Sequence, residues 1–380
     1  MILHLMFALN FVKPHLKKIL FLCSEFPPGP GGIGNHGFNL IKTLQQKGYT
    51  VSIVTNLENA TIEESRDFAE REKLEINYIN REGILPVQFR RIFAAFSKVS
   101  PYHYILCSGM FSLWMGGLLK LIYRKKKYIA IIHGTEVTDT NAIHQRFTKW
   151  ALKKFDTVIS VSKYTEEQID PKYDKPKYVI IPNAISVADL QKYIITEPTK
   201  WKGSPSLLTV GNVTRRKGQQ NMIKALPEII KKYPEIHYHI VGLPSKKTEF
   251  EKLATELNVK DYITFHGKVD TQTLYSSYQS CDVFVMLSEK QPDGDIEGFG
   301  IAILEANYFG KPAIGATGCG IEDAIDEGIT GYKVPNNNPE LIVDALQKIM
   351  GNYIHYHTHA KRWALKHDWN DIADSYIKLM

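Results

Sequence analysis

Short apolar runs recur along the whole chain, and amphipathic stretches separate them. Strands that are apolar along nearly their whole length are typical of parallel sheets that helices cover on both faces. The pattern therefore predicts an α/β fold in which a parallel sheet is built twice. The runs are KKILFLC, YTVSIVT, YHYILC, KYIAIIH, TVISVS and KYVIIP in the first half, and SLLTVG, IHYHIVG, YITFHG, DVFVML and KPAIGA in the second.

The chain is long enough for two such units. Its 380 residues exceed what one hydrophobic core usually organises, so two domains are expected. Residues 183–204 lack a strong strand pattern and place the boundary near residue 195. The predicted units are a first domain over residues 1–195, a second domain over residues 196–365 and a final helix over residues 366–380.

The charge is distributed unevenly. The net charge is +7, and residues 1–195 contain 26 Lys and Arg against 17 Asp and Glu, so the remainder has a slight acidic excess. We therefore expect an anionic partner, such as a membrane surface or a charged acceptor, to meet the first half. No nucleic-acid partner is expected.

The cysteines and the N-terminal residues indicate the cellular compartment of the protein. The four cysteines are scattered without metal-ligand spacing, which predicts reduced thiols in a cytoplasmic protein. Residues 1–16 open on an apolar run that is too short to span a bilayer and lacks a signal-peptide cleavage pattern. We expect this segment to be an extension, a mispredicted start or a weak interfacial anchor.

A glycine-rich loop, PPGPGGIGNHG, follows the first predicted strand. Gly29, Gly31 and Gly34 match the dinucleotide-binding fingerprint, but the prolines separate the first glycine from the strand and stiffen the loop. Gly31, Gly32 and Gly34 instead favour a loop whose N–H groups approach a phosphate at the start of the next helix. A plain turn and a nicotinamide site are the alternatives.

Two further stretches follow predicted strands. His133 lies at the carboxyl end of KYIAII, where open α/β sheets bind ligands, although a structural histidine suits the position equally. Arg215, Arg216 and Lys217 stand at the start of a helix, where cations oppose the helix dipole unless an anion neutralises them. This conflict predicts a phosphate site, with a solvated basic turn as the alternative.

The stretch DIEGFGIAILEA combines two carboxylates with a glycine-flanked helix start. Glu297 and Glu305 are eight positions apart, about 80° around a helix axis, so both can face one cleft. Carboxylates accept hydrogen bonds from hydroxyls, which suits a sugar and a ribose. The N–H groups of Phe299, Gly300 and Ile301 head the helix and can donate to the same ligand. A surface helix with two solvated glutamates is the alternative.

Taken together and in this order, these stretches resemble glycosyltransferase family 4, the retaining sugar-nucleotide-dependent transferases of the GT-B fold, also described as glycosyl transferases group 1. The insertion QPDGDIEGFGIAILEA is most similar to bacterial mannosyltransferases that act on phosphatidylinositol mannosides. The matching pieces extend from about residue 18 to residue 350 and are GGIG, HGTE, VSVSKYT, IPNAI, RRKGQQNMIKALP, HGKV, EGFGIAILEA, PAIGATGCGIEDAI and EGITGYKV.

The resemblance implies a GT-B architecture of two Rossmann-like domains that face a central cleft. The first domain would bind the acceptor, the second the nucleotide sugar, and the last helix would cross back to the first. The resemblance assigns catalysis to His133, Arg216, Lys217 and Glu297. It assigns donor binding to Gly32, Gly34, Asn212, Val269, Phe299, Gly300, Ile301 and Glu305.

The individual roles follow from the same resemblance. Lys217 and a neighbouring arginine would hold the diphosphate, Glu305 the ribose and Val269 the base through its backbone. Glu297 and the helix-start amides would hold the sugar. The family commonly has arginine where this chain has Asn212, and the forked side chain of Arg216 could replace it.

The implied reaction is the retaining transfer of a hexose to a lipid-linked or cell-envelope glycan. Local likeness favours mannose from GDP-mannose over a UDP-glucose or UDP-N-acetylglucosamine donor. Fixed cations and helix N-termini can stabilise the departing phosphate, so we expect no metal and no cofactor. Front-face displacement, in which the phosphate accepts the acceptor's proton, is the favoured hypothesis, and a covalent route through Glu297 stays open.

The stretch FSLWMGGLLKLIYRKKKYIAII joins an apolar amphipathic run to the basic residues 124–127. Such a segment suits an anionic membrane surface, and equally a scaffold helix with a basic end. With the basic first half added, we expect a cytoplasmic protein that attaches peripherally to the inner face of the membrane.

Other functions remain possible at this point. A nicotinamide-dependent oxidoreductase would use the glycine fingerprint with Glu58 as ribose partner, but it leaves RRKG and EGFGIAILEA unexplained. A sugar-nucleotide epimerase and a non-catalytic binder share the expected fold. Asp293 with Asp295, and His355 with His359, could suggest metal sites; we interpret the first pair as a flexible loop and the second as an exposed helix face.

Overall fold

The computed structural model describes residues 17–29, 31–58, 60–80, 86–169, 177–198 and 200–380. These residues form two lobes, each built on one parallel sheet. In the first lobe seven strands pair in the order β3-β2-β1-β4-β5-β6-β7. Their bounds are β1 (Lys18–Cys23), β2 (Thr50–Asn56), β3 (Glu75–Ile79), β4 (Tyr104–Ser108), β5 (Lys127–Ile132), β6 (Thr157–Ser160) and β7 (Lys177–Ile180).

The second lobe contains six strands in the order β10-β9-β8-β11-β12-β13. The order reverses beside β8, as it does beside β1 in the first sheet, and ligands of open α/β sheets bind at such reversal points. The bounds are β8 (Ser206–Val210), β9 (His237–Val241), β10 (Ile263–Gly267), β11 (Val283–Met286), β12 (Ala313–Ala316) and β13 (Gly331–Val334).

Helices cover both faces of both sheets. They are α1 (Gly32–Gln46), α2 (Ile62–Glu72), α3 (Val87–Lys98), α4 (Met110–Ile122), α5 (Thr135–Thr138), α6 (Ala142–Leu152), α7 (Lys163–Glu167), α8 (Val187–Gln191), α9 (Gln219–Lys232), α10 (Lys247–Glu256), α11 (Thr271–Ser280), α12 (Ile301–Tyr308), α13 (Pro339–Gly351), α14 (Tyr353–Leu365) and α15 (Trp369–Ile377). Short 3₁₀ turns lie at Arg215–Lys217, Lys260–Tyr262 and Gly320–Ala324.

The predicted α/β architecture with two parallel sheets is confirmed, and each of the eleven apolar runs contains a strand. Two strands, β3 and β13, were missed. Both are edge strands, and their sequences, EINYI and GYKV, include polar residues at half-buried positions. An edge strand has one neighbour and more solvent contact, so it needs no continuous apolar run.

Strand β1 shows why the apolar runs were informative. Ile19, Phe21 and Cys23 pack into the core on one face of the sheet, and Leu20 and Leu22 pack into the core on the other. All five side chains are inaccessible to solvent. A strand buried on both faces must be apolar at every position.

The last helix lies against the first lobe. The backbone of Ile185 bonds to that of His367 and Trp369 at 2.9 and 3.1 Å. The Trp369 ring meets the His36 ring of α1 edge-on, and the Tyr376 hydroxyl lies 3.3 Å from His36 Nε2. Helix α14 packs on α12 of the second lobe, whereas α15 packs on α1 of the first. The chain therefore crosses back to the first lobe between α14 and α15.

Within the described ranges, no helix has both the length and the apolar character needed to cross a bilayer. Residues 1–16, for which an extension, mispredicted start or interfacial anchor was expected, lie outside the described residues.

Because Trp369 is 2% exposed and joins α15 to α1, its removal opens a cavity between the crossing helix and the first lobe. We expect Trp369→Ala to lower the free energy of unfolding by about 3–5 kcal/mol. Urea denaturation measures the change. The control Ile354→Ala, at a position that is 75% exposed, is expected to leave the midpoint nearly unchanged; equal stability of both variants would contradict the packing role of α15.

Candidate active site

A cavity of about 400 Å³ lies between the two lobes. Gly32 and His36 of α1 line it from the first lobe, and Gly211, Lys217 and Glu305 line it from the second. The cleft that the sequence predicted between the two sheets is therefore present, at the carboxyl ends of β1 and β8.

The turn after β8 places the basic residues. Gly218 ends the 3₁₀ turn of Arg215–Lys217 with φ +77°, and a Cβ there would overlap the carbonyl oxygen of Leu287. Glycine is therefore needed for α9 to begin against the end of β11. This close approach directs Arg216 and Lys217 toward the cleft.

Both cations meet one carboxylate. Glu297 Oε2 lies 2.6 Å from Lys217 Nζ and 2.5 Å from Arg216 Nη1. Arg216 Nε also lies 3.1 Å from Asp295 Oδ2. The Glu297 side chain is 13% exposed, so solvent screens these pairs weakly.

The electrostatics of Glu297 follow from this geometry. Burial alone would raise the pKa of the carboxyl, but Lys217 and Arg216 outweigh burial and lower the pKa to about 2. The group is therefore a carboxylate throughout the neutral range, fixed between two positive charges.

Glu305 lies on α12 and faces the interlobe cavity. Its Oε2 accepts a hydrogen bond of 2.6 Å from the hydroxyl of Tyr278. Burial raises the pKa of Glu305, and the bond from Tyr278 partly offsets this effect. Glu297 contacts Lys217, which lines the same cavity, so the two glutamates converge on one site.

The start of α12 is built by close packing between the lobes. A Cβ on Gly298 would overlap the carbonyl oxygen of His133, so this loop touches the end of β5 directly. Gly300 caps the helix with φ +90°, and Ile301 is its first residue. The side chain of Phe299 is buried in the core, which leaves its backbone at the helix start.

His133 is held at the end of β5. Its Nε2 lies 2.9 Å from Ser108 Oγ, and its ring meets the His36 ring edge-on at 4.9 Å. Burial, and then the neighbouring His36, lower the pKa of His133 well below its usual value. The imidazole is therefore neutral and can serve as a hydrogen-bonding group, not as a cation.

Glu136 fixes the turn that carries His133. Its Oε2 accepts hydrogen bonds from the backbone N–H groups of His133 and Gly134 at 2.9 and 3.1 Å. The side chain is 2% exposed. Glu136, the last residue of the HGTE stretch, thus orients the backbone at His133, a role that the sequence did not suggest.

The glycine loop differs from the predicted phosphate cradle. Glu25 folds back so that its Oε1 accepts from the N–H groups of Ile33 and Gly34, at 2.9 and 3.3 Å. The Glu25 carboxylate lies directly against Gly31, in the place that a Cβ would take. The amide of Gly34 is therefore engaged by the chain's own carboxylate, and Gly32 is the predicted glycine that faces the cavity.

A second cavity of about 660 Å³ adjoins the first, since Val210 and Gly211 line both. Asn212 and Val269, two of the predicted donor-binding residues, line this second cavity. Its opposite wall is α2 of the first lobe, including Phe68. No motif identified α2 as part of the site, because its approach to the cavity depends on how the two lobes meet.

Asp295 was interpreted as part of a flexible loop, but it pairs with Arg216 and its loop docks on the first lobe. Thr138 Oγ1 donates to the carbonyl oxygen of Gly294 at 2.7 Å. Nowhere in the described ranges do three or more His, Cys, Asp or Glu residues form a group that could hold a metal ion. His359 Nδ1 bonds to the backbone oxygen of His355 at 2.8 Å.

Two family models match the chain in succession, the first over most of the first lobe and the second over most of the second lobe. The model described as Glycosyltransferase Family 4 matches residues 30–189, and the model described as Glycosyl transferases group 1 matches residues 192–364. The chain belongs to the family 4 glycosyltransferases. The resemblance inferred from the motifs is confirmed, and the protein is a hexosyltransferase.

Individual relatives agree with this assignment. The glycosyltransferase is 26% identical to an uncharacterized glycosyltransferase of Methanocaldococcus jannaschii, over 95% of this chain and 97% of the relative. It is 24% identical to the GDP-mannose-dependent monoacylated alpha-(1-6)-phosphatidylinositol monomannoside mannosyltransferase of Corynebacterium glutamicum, over 89% and 90%. Sucrose-phosphate synthase from Thermosynechococcus elongatus matches with a TM-score of 0.77 at 20% identity, over 96% and 98%. This structural likeness confirms the GT-B fold.

The depressed pKa of Glu297 predicts a pH dependence of the glycosyltransferase. A carboxyl whose pKa is lowered on folding contributes stability above its unfolded value of about 4.5, and this stability is lost as the pH falls toward 2. Between pH 6 and pH 3 we expect wild type to lose on the order of 2 kcal/mol more free energy of unfolding than Glu297→Gln. Urea titrations at both pH values measure the difference.

The matched control is Glu235→Gln, which removes an exposed carboxylate from the same lobe. This variant is expected to follow wild type at both pH values. Parallel losses in wild type and Glu297→Gln would show that the two cations do not hold the carboxylate as the structure indicates.

Proposed function

We propose that this glycosyltransferase transfers mannose from GDP-mannose, with retention of anomeric configuration, to a lipid-linked or cell-envelope glycan. The observation that carries the proposal is the convergence of Lys217, Arg216 and Glu297 beside a cavity that both lobes line. The likeness to the Corynebacterium glutamicum mannosyltransferase supports GDP-mannose as the donor.

The two adjoining cavities suit the parts of a nucleotide sugar. The base would lie in the larger cavity against the backbone of Val269, and the ribose hydroxyls would meet Glu305. The diphosphate would lie by Lys217 and Arg216, with Gly32 opposite. Asn212, which stands where the family commonly has arginine, lines the base cavity. In this proposal the forked side chain of Arg216 replaces that arginine at the diphosphate.

Donor binding would exchange one anion for another. Lys217 and Arg216 contact Glu297, and a diphosphate that reaches them competes with this carboxylate. Once relieved of one or both cations, Glu297 can accept hydrogen bonds from sugar hydroxyls. The amides of Phe299, Gly300 and Ile301 and the neutral ring of His133 would hold the remaining hydroxyls.

In the transfer step, the bond between the sugar C1 and the phosphate oxygen breaks, and its electron pair stays on the phosphate. Lys217 and Arg216 stabilise this charge without a metal ion, because they are positioned before the reaction starts. The acceptor oxygen bonds to C1 on the same face, and its proton passes to the departing phosphate. No cofactor takes part.

A covalent route through Glu297 is the alternative for retention. In the ligand-free site its carboxylate is paired with both cations, and in the donor complex the proposal gives it the role of accepting hydrogen bonds from the sugar hydroxyls. The front-face route keeps Glu297 in that binding role and is the one that we propose.

The proposal of a lipid-linked acceptor rests on the positive charge of the first lobe. Residues 1–195 carry the positive excess of the chain, and the basic residues 124–127 follow α4 of the first lobe. Cations of this kind attract anionic lipid head groups. We place the protein at the cytoplasmic face of the membrane, attached peripherally, where it meets a lipid-linked acceptor.

A donor panel tests the proposal. Purified protein is incubated with GDP-mannose, UDP-glucose or UDP-N-acetylglucosamine, with and without EDTA, and with a membrane lipid extract as acceptor. We expect transfer from GDP-mannose that EDTA does not reduce. Lys217→Ala should lower kcat by about 10²–10³-fold, because it removes a charge that stabilises the leaving phosphate. Glu297→Gln should lose transfer as well.

The matched controls are Lys224→Ala, an exposed lysine of α9, and Glu235→Gln; both should keep full activity. NMR of the purified product gives the anomeric configuration, and we expect the α anomer of the donor to be kept. Transfer from a UDP sugar alone, dependence on a metal, an inverted linkage or full activity of Lys217→Ala would each contradict the corresponding part of the proposal.

A further inference from the structure

An apolar groove of about 850 Å³ lies between α4 and α6 of the first lobe, apart from the interlobe cavities. We propose that it takes up one hydrocarbon chain of a lipid from an anionic membrane. The inference rests on the proposed function, in which a lipid carries the acceptor. The groove is lined by Phe111, Trp114, Leu118, Ala142, Ile143, Arg146, Phe147 and Trp150.

The groove presents large apolar side chains to solvent. Ile143 is 65% exposed and Phe147 is 52% exposed on α6, while Leu121 and Ile122 continue the surface along α4 at 51% and 66%. Exposed apolar groups that lie side by side mark a surface with a partner, whereas single ones are ordinary.

The walls of the groove are held in place. Trp114 meets Phe147 at a ring distance of 5.7 Å, and its Nε1 donates to Thr148 Oγ1 at 2.9 Å across the two helices. At Gly117, an added Cβ would come within 2.9 Å of the Trp150 ring, so this glycine lets α4 and α6 pack closely. The groove is thus preformed.

The charge around the groove selects an anionic partner. Residues 110–154 contain nine lysines and arginines against two acidic residues. Glu136 is buried under the β5 turn, and Asp139 lies 3.1 Å from His144 at the start of α6. Just beyond this range, Asp156 pairs with Lys120 at 2.8 Å, so Lys120 is neutralised locally and the remaining cations supply the positive charge. Apolar walls with a basic surround match a lipid chain below anionic head groups.

One end of the groove lies toward the interlobe cleft. Helix α6 follows α5, which directly follows His133, and Thr138 at the end of α5 bonds to Gly294 of the second lobe. The same loop supplies Asp295 to Arg216. The start of α6 therefore lies toward the interlobe cleft, whereas the basic residues 124–127 follow the end of α4 at the opposite edge of the sheet, so the groove extends between the two.

Quenching by brominated lipid tests chain uptake directly, because bromine quenches tryptophan fluorescence on contact. Full-length protein is mixed with vesicles of phosphatidylglycerol that carries brominated acyl chains, and with unbrominated vesicles. We expect quenching with the brominated vesicles only. The double variant Trp114→Phe with Trp150→Phe should lose the quenched component, since the other three tryptophans lie outside the groove.

Matched serine variants test the apolar contact. Ile143→Ser in the groove should weaken vesicle binding about tenfold or more, as expected for losing one buried apolar side chain. Ile354→Ser on α14 of the second lobe, at a position that is 75% exposed, should bind as wild type does. Vesicles of neutral phosphatidylcholine and high salt should both abolish binding.

Three outcomes would overturn the inference. Binding that pellets the protein without quenching would show adsorption to head groups with an empty groove. Equal binding to anionic and neutral vesicles would show that the basic residues do not select an anionic membrane. Quenching that appears only after Phe7→Asp, in the apolar segment 1–16, would show that the chain's own N-terminal segment fills the groove. These readouts need no donor, so they succeed or fail independently of mannosyl transfer.

Discussion

The carboxylate of Glu297 lies between Lys217 and Arg216, and the organisation of the cleft depends on this pairing. It joins the turn after β8 to the loop that leads into α12. That loop in turn touches the end of β5 through Gly298, where no side chain would fit. One partly buried ion cluster thus connects the two sheet ends at which ligands of α/β folds bind. Removing charges from water is costly unless they neutralise each other, and here two cations face the two carboxylates of Glu297 and Asp295, so the cluster specifies its own geometry.

Each lobe contributes different residues to the site. The second lobe supplies the cations and both glutamates, while the first supplies Gly32, His36 and the α2 wall of the larger cavity. The crossing helix α15 packs on α1 and so keeps the first lobe beside the second. Neither lobe alone forms the site, and a bound donor would contact both.

The sequence was most informative where one local rule decides the structure. Lys217 and Glu305 follow a strand end and a helix period, and parallel strands bring such positions to one edge, so their place on one cavity was predictable. Glu25 was not predictable, because its return to the start of α1 depends on the path of the whole glycine loop. Asp295 and α2 were missed for a related reason: their partners lie on distant segments. The edge strands β3 and β13 lack the continuous apolar run that identified the other strands.

The most direct measurement concerns the exchange of anions at the two cations. If Glu297 competes with the donor diphosphate for Lys217 and Arg216, removing its charge should strengthen the binding of GDP even though it abolishes transfer. Isothermal titration of GDP into wild type, Glu297→Gln and Lys217→Ala decides this. We expect a lower Kd for Glu297→Gln and a higher Kd for Lys217→Ala. A Kd for Glu297→Gln that is unchanged or higher would contradict the competition on which the proposed site rests.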